Sequence, residues 1–255
     1  MDLSELLQAQ PKMHTRGGQA FSWQLSDDLL RFINAHVQAG AKTLEIGAGV
    51  STILFTMKGA SHLCIVPARD EAARIQEFCR EHGVPLDTLT FEIDRSDRCL
   101  PRLDLAGLDF VLIDGAHGFP IPFLDWYYTA DRLKVGGFLA IDDTHIWTGY
   151  VLKMFLLAEP EWTLEADYGP RSVVFRKVKE GGLGRSEWRQ PYIVEQTLDF
   201  MFAKYGGHVE SIRQFAPPGL FEERARRARI RNMVGRFLPV RVKRSIRRAL
   251  GRFAG

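Results

Sequence analysis

Two glycines and a nearby acid form the first group of residues that could bind a ligand. Residues 43–52 read TLEIGAGVST, an apolar run that contains Glu45 and leads into Gly47 and Gly49. Glycines at such a point let a ligand approach the backbone and let the chain turn into a helix. Thr52 stands where a dinucleotide-binding loop has its third glycine, which argues against tight packing on a pyrophosphate. Glu45 would repel phosphate and attract an ammonium group, so a cationic ligand with adenosine and amino-acid parts fits this loop.

Three carboxylates follow two later apolar runs. Asp114 ends the run LDFVLIDG, and Asp142 with Asp143 ends the run FLAIDD. If these runs are neighbouring strands, the three acids converge in one cleft, where a hard divalent cation such as Mg²⁺ takes oxygen ligands. Such an ion would chelate the oxygens of an acceptor and lower the pKa of its hydroxyl group. In the alternative interpretation, Asp114 caps a loop and the other two acids cap the next helix.

Two histidines near these acids are candidates for a general base. A neutral imidazole can take a proton from a hydroxyl group near pH 7. His117 is the first candidate and His145 the second. Each could instead only form a hydrogen bond within its loop. Trp147 and Tyr150 follow closely in the sequence and could either line an acceptor pocket or belong to the core.

Apolar runs that alternate with helical segments must position these residues. Ser26 followed by two acids predicts the start of a helix, and 123–137 predicts a helix that ends at paired glycines. The strands predicted are residues 42–49, 62–67, 89–94, 108–115, 138–143, 161–167 and 172–178. This alternation favours an α/β fold with a doubly wound, mostly parallel, seven-stranded sheet. The last two strands are joined by so short a turn that they must form an antiparallel hairpin.

Three segments in this order resemble the motifs of a known enzyme family. They are LEIGAGVST, DFVLIDGAH and LKVGGFLAIDD, at residues 44–52, 109–117 and 133–143. They resemble class I S-adenosylmethionine-dependent methyltransferases, in particular O-methyltransferases that modify small molecules and sugars. The resemblance covers about residues 20–178 and implies S-adenosylmethionine as methyl donor. The cofactor-binding residues that it implies are Glu45, Gly47, Gly49, Ser51, Thr52, Asp94, Ser96 and Asp114.

The chain departs from the family pattern at two strand ends. The family usually has an acid after its second strand that binds both ribose hydroxyls, but residues 65–68 read IVPA. The acids at 70–71 are expected to begin the next helix. At the third strand, EIDRSDRCLP matches the family pattern at Ser96, but the acid is displaced to Asp94 or Asp97. One of these two could contact the amino group of adenine.

The charge of the chain is unevenly distributed. Residues 224–255 contain 12 of the 34 Lys and Arg residues and none of the 31 acids, so the rest is acidic. Two segments on either side of Pro239 place apolar residues at helical spacing among the arginines. Such helices lie on anionic membrane surfaces. A nucleic-acid-binding arm is less expected, since no Tyr or Trp is interleaved for stacking on bases. A solvated tail or one that binds another protein is the third interpretation.

Composition and charge suggest four regions and a compartment. The regions are an N-terminal lead at 1–25, a methyltransferase-like domain at 26–178, an irregular or helical extension at 179–218 and a basic amphipathic tail at 219–255. The three cysteines are not spaced for zinc, and the acidic start lacks a signal-peptide pattern. We therefore expect a cytoplasmic protein, peripheral on the inner face of the membrane if the tail binds there.

The sequence thus predicts an S-adenosylmethionine-dependent methyltransferase that acts on a hydroxyl group of a small molecule or glycan. One alternative is a non-catalytic module of the same fold that docks at a membrane or on an assembly partner, which the absent ribose acid favours. The other is an RNA ribose methyltransferase, which only the basic tail suggests.

Overall fold

A computed structural model describes residues 1–17, 19–22, 25–181, 183–184, 189–205, 213–214 and 216–237. The chain divides into two compact units, residues 1–184 and 185–255. No helix within the described ranges combines the length and the apolar character needed to cross a membrane.

The first unit contains nine strands and seven α-helices within its described residues. Its strands are β1 (His14–Arg16), β2 (Gln19–Phe21), β3 (Lys42–Ile46), β4 (Ser61–Ile65), β5 (Leu89–Glu92), β6 (Leu108–Ile113), β7 (Leu133–Ile141), β8 (Trp162–Tyr168) and β9 (Ser172–Lys177). Its helices are α1 (Leu3–Ala9), α2 (Asp27–His36), α3 (Val50–Met57), α4 (Arg69–Glu81), α5 (Ser96–Cys99), α6 (Ile121–Ala130) and α7 (Trp147–Ala158). A short 3₁₀ turn, Leu100–Arg102, follows α5.

Seven of the strands form one sheet in the order β5-β4-β3-β6-β7-β9-β8. The first five are parallel, whereas β9 runs antiparallel to both β7 and β8. The predicted doubly wound sheet with an antiparallel C-terminal hairpin is confirmed. The strand order reverses between β3 and β6, and ligands of open α/β sheets bind at such a point.

Helices cover both faces of the sheet because the central strands are apolar on both sides. Val111 and Leu112 are consecutive in β6 and so point to opposite faces, and both are fully buried. Helices α1, α2 and α3 contact one another and α3 also contacts α4, whereas α6 contacts both α5 and α7. At the start of α2, Ser26 accepts a hydrogen bond from the Leu29 amide, as the sequence predicted.

The paired glycines do not end a helix, and this part of the prediction was wrong. Helix α6 ends at Ala130, and Gly136 and Gly137 lie inside β7. The register between β6 and β7 shifts there, since Leu108 pairs with Leu133 but Phe110 pairs with Phe138. Gly136 takes a φ of 90° in this bulge. The glycines therefore mark a bulge within a strand, where glycine is also common, and not the end of a helix.

The N-terminal lead forms regular structure that the sequence did not predict. In α1, the Asp2 side chain caps the helix and Glu5 bonds back to the Asp2 amide. Leu6 and Met13 are buried in the same apolar cluster as α2 and α3. Strands β1 and β2 form a separate two-stranded sheet. The lead is thus an integral part of the first unit.

The second unit contains two helices within its described residues, α8 (Pro191–Lys204) and α9 (Leu220–Phe237). Phe221 and Ala228 of α9 are buried in one cluster with Val194, Leu198 and Phe202 of α8. Arg224 adds ion pairs of 2.9 Å to Glu195 and 2.8 Å to Asp199. The first of the two predicted tail segments lies in α9, and the second, beyond Pro239, lies outside the described residues.

Candidate functional site

One cavity of about 1260 Å³ opens at the carboxyl ends of the parallel strands. It is larger than the roughly 300–1,000 Å³ of a typical small-molecule site, so a nucleoside ligand and a second molecule can share it. The lining residues of interest here are His14, Gly47, Val66, Glu71, Asp94, Ser96, Asp97, Asp114, His117, Asp142, Asp143, His145 and Arg171. The cavity lies where the strand order reverses.

Gly47 allows the ends of β3 and β6 to come unusually close. A Cβ atom at this position would lie 2.2 Å from the Asp114 carbonyl oxygen, and the φ of Gly47 is 104°. The Gly47 amide donates to the Ile65 carbonyl at 3.0 Å, and the Asp114 amide donates to the Ile46 carbonyl at 2.9 Å. Any side chain at Gly47 would displace the backbone of Asp114, so the loop depends on glycine.

Glu45 lies behind the glycine loop and does not line the cavity. It is fully buried, and its carboxylate accepts hydrogen bonds from Ser51 and Thr52, the latter at 2.6 Å. The Nε2 atom of His62 is 3.2 Å away. Thr52 also accepts the Gly49 amide at 3.0 Å. Glu45 therefore does not face the cavity directly, and its oxygens bond to the first turn of α3.

Ser51 and Thr52 share this internal role, since both are buried and bonded to Glu45. Gly49, the residue before α3, is also not among the cavity-lining residues. Of the expected residues in this stretch, Gly47 alone lines the cavity, together with its neighbours Ile46 and Ala48. The loop therefore offers backbone rather than side chains to a ligand.

Asp114, His117 and Asp143 come together at one wall of the cavity. Each offers a ligand atom, and these atoms all lie within 4.8 Å of one another. The His117 Nε2 atom is 3.0 Å from Asp143 Oδ2. Asp143 takes a left-handed φ of 53°, a conformation that non-glycine residues hold at functional sites at some cost in energy. Burial raises the pKa of Asp114 well above its usual range, and the charges of Asp142, Glu45 and Asp143 add to this effect.

Asp142 lines the same cavity but is not part of this trio. Only 3% of it is exposed, and one carboxylate oxygen accepts the Ser172 hydroxyl while the other lies 3.4 Å from Arg171. Burial raises its pKa, and the Ser172 hydrogen bond opposes that shift. Of the three acids from which the sequence predicted a metal site, Asp114 and Asp143 have ligand atoms close to each other. The third close ligand atom belongs to His117 rather than to Asp142.

His145 is the more weakly held of the two histidines. Its Nδ1 atom lies 3.6 Å from Asp143 Oδ1, too far for a hydrogen bond. Half of its side chain is exposed, against about a third of the His117 side chain. The Thr148 hydroxyl also donates to the His117 carbonyl at 2.6 Å. His117 is thus the better positioned of the two bases that the sequence predicted.

The end of β5 forms the far wall of the cavity. Ser96 is buried there, and both candidate acids line the cavity beside it. Asp94 pairs with Arg102 at 2.7 Å, and Asp97 pairs with Arg95 at 2.9 Å. These arginines lower the pKa of each acid. Either carboxylate can accept a hydrogen bond from a ligand amino group.

Comparison with known proteins shows the fold of this chain. No protein-family model matches the sequence, and no curated protein matches it. A candidate O-methyltransferase from Klebsiella pneumoniae has a similar structure, with 16% identity, a TM-score of 0.54, and coverage of 69% of this chain and 90% of that one. The O-methyltransferase TomG from Streptomyces achromogenes is also similar, with 17% identity and a TM-score of 0.51. It is involved in tomaymycin synthesis and was solved with S-adenosylmethionine, and the match covers 61% of this chain and 82% of that one.

A candidate rRNA methylase from Clostridium thermocellum is similar at 14% identity with a TM-score of 0.50, and the match covers 62% of this chain and 99% of that chain. The chain has the fold of the class I S-adenosylmethionine-dependent methyltransferases. At these identities the likeness establishes the fold alone.

Three cavity residues of the methyltransferase fold escaped the sequence analysis. His14 reaches the cavity from β1, and its Nε2–H donates to the Ala48 carbonyl at 3.0 Å. Glu71 lies in the first turn of α4, where the sequence suggested only a helix start. Arg171 follows the hairpin turn before β9 and faces Asp142 and Asp143. No sequence motif marks His14 or Arg171, since only the folding of distant segments brings them to the cavity.

Trp147 and Tyr150, the two aromatic residues that follow His145, lie neither in the core nor at the cavity. Trp147 is 70% exposed and Tyr150 is 42% exposed, so they are not core residues. Their rings stack at a centroid distance of 5.5 Å, and neither lines the cavity. They form an exposed aromatic pair at the start of α7, two residues along the chain from His145.

Proposed function

We propose that this protein transfers a methyl group from S-adenosylmethionine to a hydroxyl group of a small molecule or glycan. The observation that carries this proposal is that the Gly47 loop and the His117–Asp143 pair line the same cavity. The fold supplies a nucleoside site at the strand ends. The pair supplies a group that can remove a proton from an acceptor.

The cavity suits a positively charged methyl donor. Its lining includes six carboxylic acids and two arginines, so its field favours a cation over a phosphate. The backbone at Gly47 and Ala48 would hold the donor near Asp114, and Ser96 with Asp94 or Asp97 would hold its adenine. S-Adenosylmethionine, when bound, supplies an electrophilic methyl group on a sulfonium ion. The chain's own residues must orient this group and activate the acceptor.

His117 is positioned to act as the base. In this proposed role the His117 Nε2 atom, 3.0 Å from Asp143 Oδ2, carries the proton, because an ionised carboxylate can only accept a hydrogen bond. The Nδ1 atom then holds a lone pair that can take the proton of an acceptor hydroxyl. Asp143 fixes the ring and stabilises the imidazolium that forms. Such assistance typically accelerates a reaction about 10²- to 10⁴-fold.

The same trio fits a divalent cation. Two carboxylates and an imidazole, with ligand atoms within 4.8 Å of one another, form a donor set that Mg²⁺ or Mn²⁺ can accept. Asp114, His117 and Asp143 would hold the ion, which would lower the pKa of a bound hydroxyl. His117 could not then serve as the base, and His145 would be the remaining histidine at the cavity.

Cation binding is expected to depend most strongly on Asp114 and Asp143. Asn tolerates the left-handed backbone of residue 143, so D143N and D114N should remove ligands without disturbing the fold. We expect each to weaken Mn²⁺ binding at least about tenfold, as loss of one charged ligand does in such sites. The matched control D87N changes an exposed acid outside the cavity and should bind like the wild type. Calorimetric titration with Mn²⁺ checks this, and equal affinity in all four proteins would contradict the cation site.

Turnover is tested by release of S-adenosylhomocysteine with a panel of phenols, catechols, sugars and short RNAs. Release with a hydroxylated small molecule or glycan supports the proposal. Binding of S-adenosylmethionine without release from any acceptor would favour a non-catalytic module. Release with RNA alone would favour RNA methylation, the second candidate function. Two observations support that alternative: α9 is basic, and a candidate rRNA methylase has a similar fold.

We also propose that α9 attaches the protein to an anionic membrane surface such as the cytoplasmic leaflet. Arg226, Arg227 and Arg229 are exposed on α9. Arg227 pairs with Glu223 at 2.6 Å, and residues 224–255 contain no acid. Each basic residue near an anionic surface contributes about 1 kcal/mol. The apolar residues Phe221 and Ala228 pack against α8, so within α9 the exposed arginines carry this proposal.

Neutralising these three arginines with Gln is expected to reduce binding to phosphatidylserine vesicles in a co-sedimentation assay. Wild-type binding should weaken with salt, because the Debye length falls from about 10 Å at 0.1 M to about 3 Å at 1 M. A matched control removes the same charge from exposed arginines of the first unit: Arg31, Arg80 and Arg98. Equal loss in both variants would contradict a specific role of α9, as would salt-sensitive binding to RNA without binding to vesicles.

A further inference from the structure

The wall of the cavity at the end of β4 is apolar. It consists of Ile65, Val66 and Pro67, and none of these side chains can form a hydrogen bond. Strand β4 lies between β3 and β5 in the sheet. A ligand that spans the cavity from the Gly47 loop to Ser96 must therefore pass this wall with its middle part.

The middle part of S-adenosylmethionine is its ribose. In the proposed function the sulfonium lies near His117 and Asp143, beyond the ends of β6 and β7, and the adenine would then reach the end of β5. The ribose joins the two, so its 2′- and 3′-hydroxyl groups come to lie near the end of β4. Hydroxyl groups that are enclosed in a cavity need hydrogen-bond acceptors.

Glu71 is the acidic side chain nearest in sequence to this wall that lines the cavity. It lies in the first turn of α4, whose first residue is Arg69. Its side chain forms no hydrogen bond or ion pair with any described residue. Its neighbour Asp70, by contrast, is 63% exposed and pairs with Arg74 at 2.8 Å. The two consecutive acids thus have different surroundings, and Glu71 is the one that lines the cavity.

His14, at the start of the N-terminal hairpin, lies near Glu71. His14 of β1 lines the same cavity and is bonded to the Ala48 carbonyl, while the Met13 carbonyl accepts the Arg74 Nε–H at 2.7 Å. The hairpin is therefore fastened to both the glycine loop and α4. Burial raises the pKa of Glu71, and the nearby His14 partly offsets this shift. A partly desolvated carboxylate without a donor is stabilised when ligand hydroxyls donate to it.

We propose that Glu71 binds the two ribose hydroxyl groups of the methyl donor. The assignment rests on the proposed function, since it takes S-adenosylmethionine as the ligand. A carboxylate has two oxygens at the spacing needed to accept both hydroxyls of a vicinal diol. Glu71 thereby supplies, from one turn inside α4, the acceptor that the apolar residues 65–68 lack.

A double-mutant cycle tests this assignment with two ligands and two variants. The ligands are S-adenosylhomocysteine and its analogue without the 2′- and 3′-hydroxyl groups, titrated by calorimetry into the full-length protein. The variants are E71Q and the matched control D70N. We expect E71Q to weaken binding of S-adenosylhomocysteine about 10- to 100-fold, as loss of charge-assisted hydrogen bonds does. The analogue should bind E71Q and the wild type equally, and D70N should bind both ligands like the wild type.

Three outcomes would overturn the assignment. E71Q with unchanged affinity for S-adenosylhomocysteine would show that Glu71 does not contact it. Equal weakening of both ligands by E71Q would show an effect that does not act through the hydroxyl groups. Failure of the wild type to bind S-adenosylhomocysteine at all would overturn the proposed function as well, which distinguishes that failure from the other two.

Discussion

Replacing Gly47 with alanine is expected to abolish binding of S-adenosylmethionine. The new Cβ atom would lie 2.2 Å from the Asp114 carbonyl oxygen, so the backbone of both residues must move. The φ of 104° adds strain of about 1–3 kcal/mol for any residue other than glycine. Both effects displace the loop that faces the donor. Calorimetry should show affinity lowered at least about 100-fold, equivalent to about 2.7 kcal/mol.

Gly118 provides the matched control for this substitution. It is exposed in the loop after Asp114, its φ is not in the left-handed region, and a Cβ atom there would meet nothing within 4 Å. G118A should therefore bind like the wild type. Circular dichroism melting shows whether G47A is folded at the temperature of the titration. A folded G47A protein with wild-type affinity would show that the donor does not bind at this loop.

Replacing His117 with glutamine is expected to lower kcat about 10²- to 10⁴-fold, the usual contribution of a general base. Affinity for S-adenosylmethionine should change little, because the proposed role of His117 is towards the acceptor. The comparison is H82Q, since His82 is exposed at the end of α4. A rate measured with an acceptor identified by the panel checks the expectation, and H117Q with an unchanged kcat would contradict it.

A chelator separates the two roles that His117 could have. If His117 is the base, wild-type activity should survive excess chelator, because no step then needs a cation. If His117 is a cation ligand with Asp114 and Asp143, chelator should abolish activity and added Mg²⁺ or Mn²⁺ should restore it. Either result decides whether Asp114, His117 and Asp143 bind a cation or His117 acts as the base. Their ligand atoms lie within 4.8 Å of one another.

The sequence predicted the sheet because its strands are short apolar runs at regular spacing. It also located the ends of those strands, and so Gly47, Asp114 and His117, because residues at the carboxyl ends of parallel strands share one edge. It failed for β7, where glycines at positions 136 and 137 could either end a helix or bulge a strand. That choice depends on pairing with β6, a non-local contact that no local pattern records.

The sequence also did not predict in which direction the side chains near the strand ends point. Glu45 was expected at the ligand, but Ser51, Thr52 and His62 surround it from the other side of the strand. Asp142 was expected at the cation, but Ser172, about 30 residues further on, holds it instead. Residues near a strand end are easy to find from sequence, whereas the face each takes depends on distant partners. His14 reaches the cavity only through the fold of the N-terminal hairpin.

The most direct test of this account is calorimetric titration of the full-length protein with S-adenosylmethionine. We expect saturable binding of one molecule per chain, displaced by S-adenosylhomocysteine. ATP should not compete, because the acids that line the cavity outnumber its arginines and disfavour a triphosphate. Absence of binding of S-adenosylmethionine and S-adenosylhomocysteine at millimolar concentration, or displacement of the donor by ATP, would contradict the assignment of the cavity as a methyl-donor site.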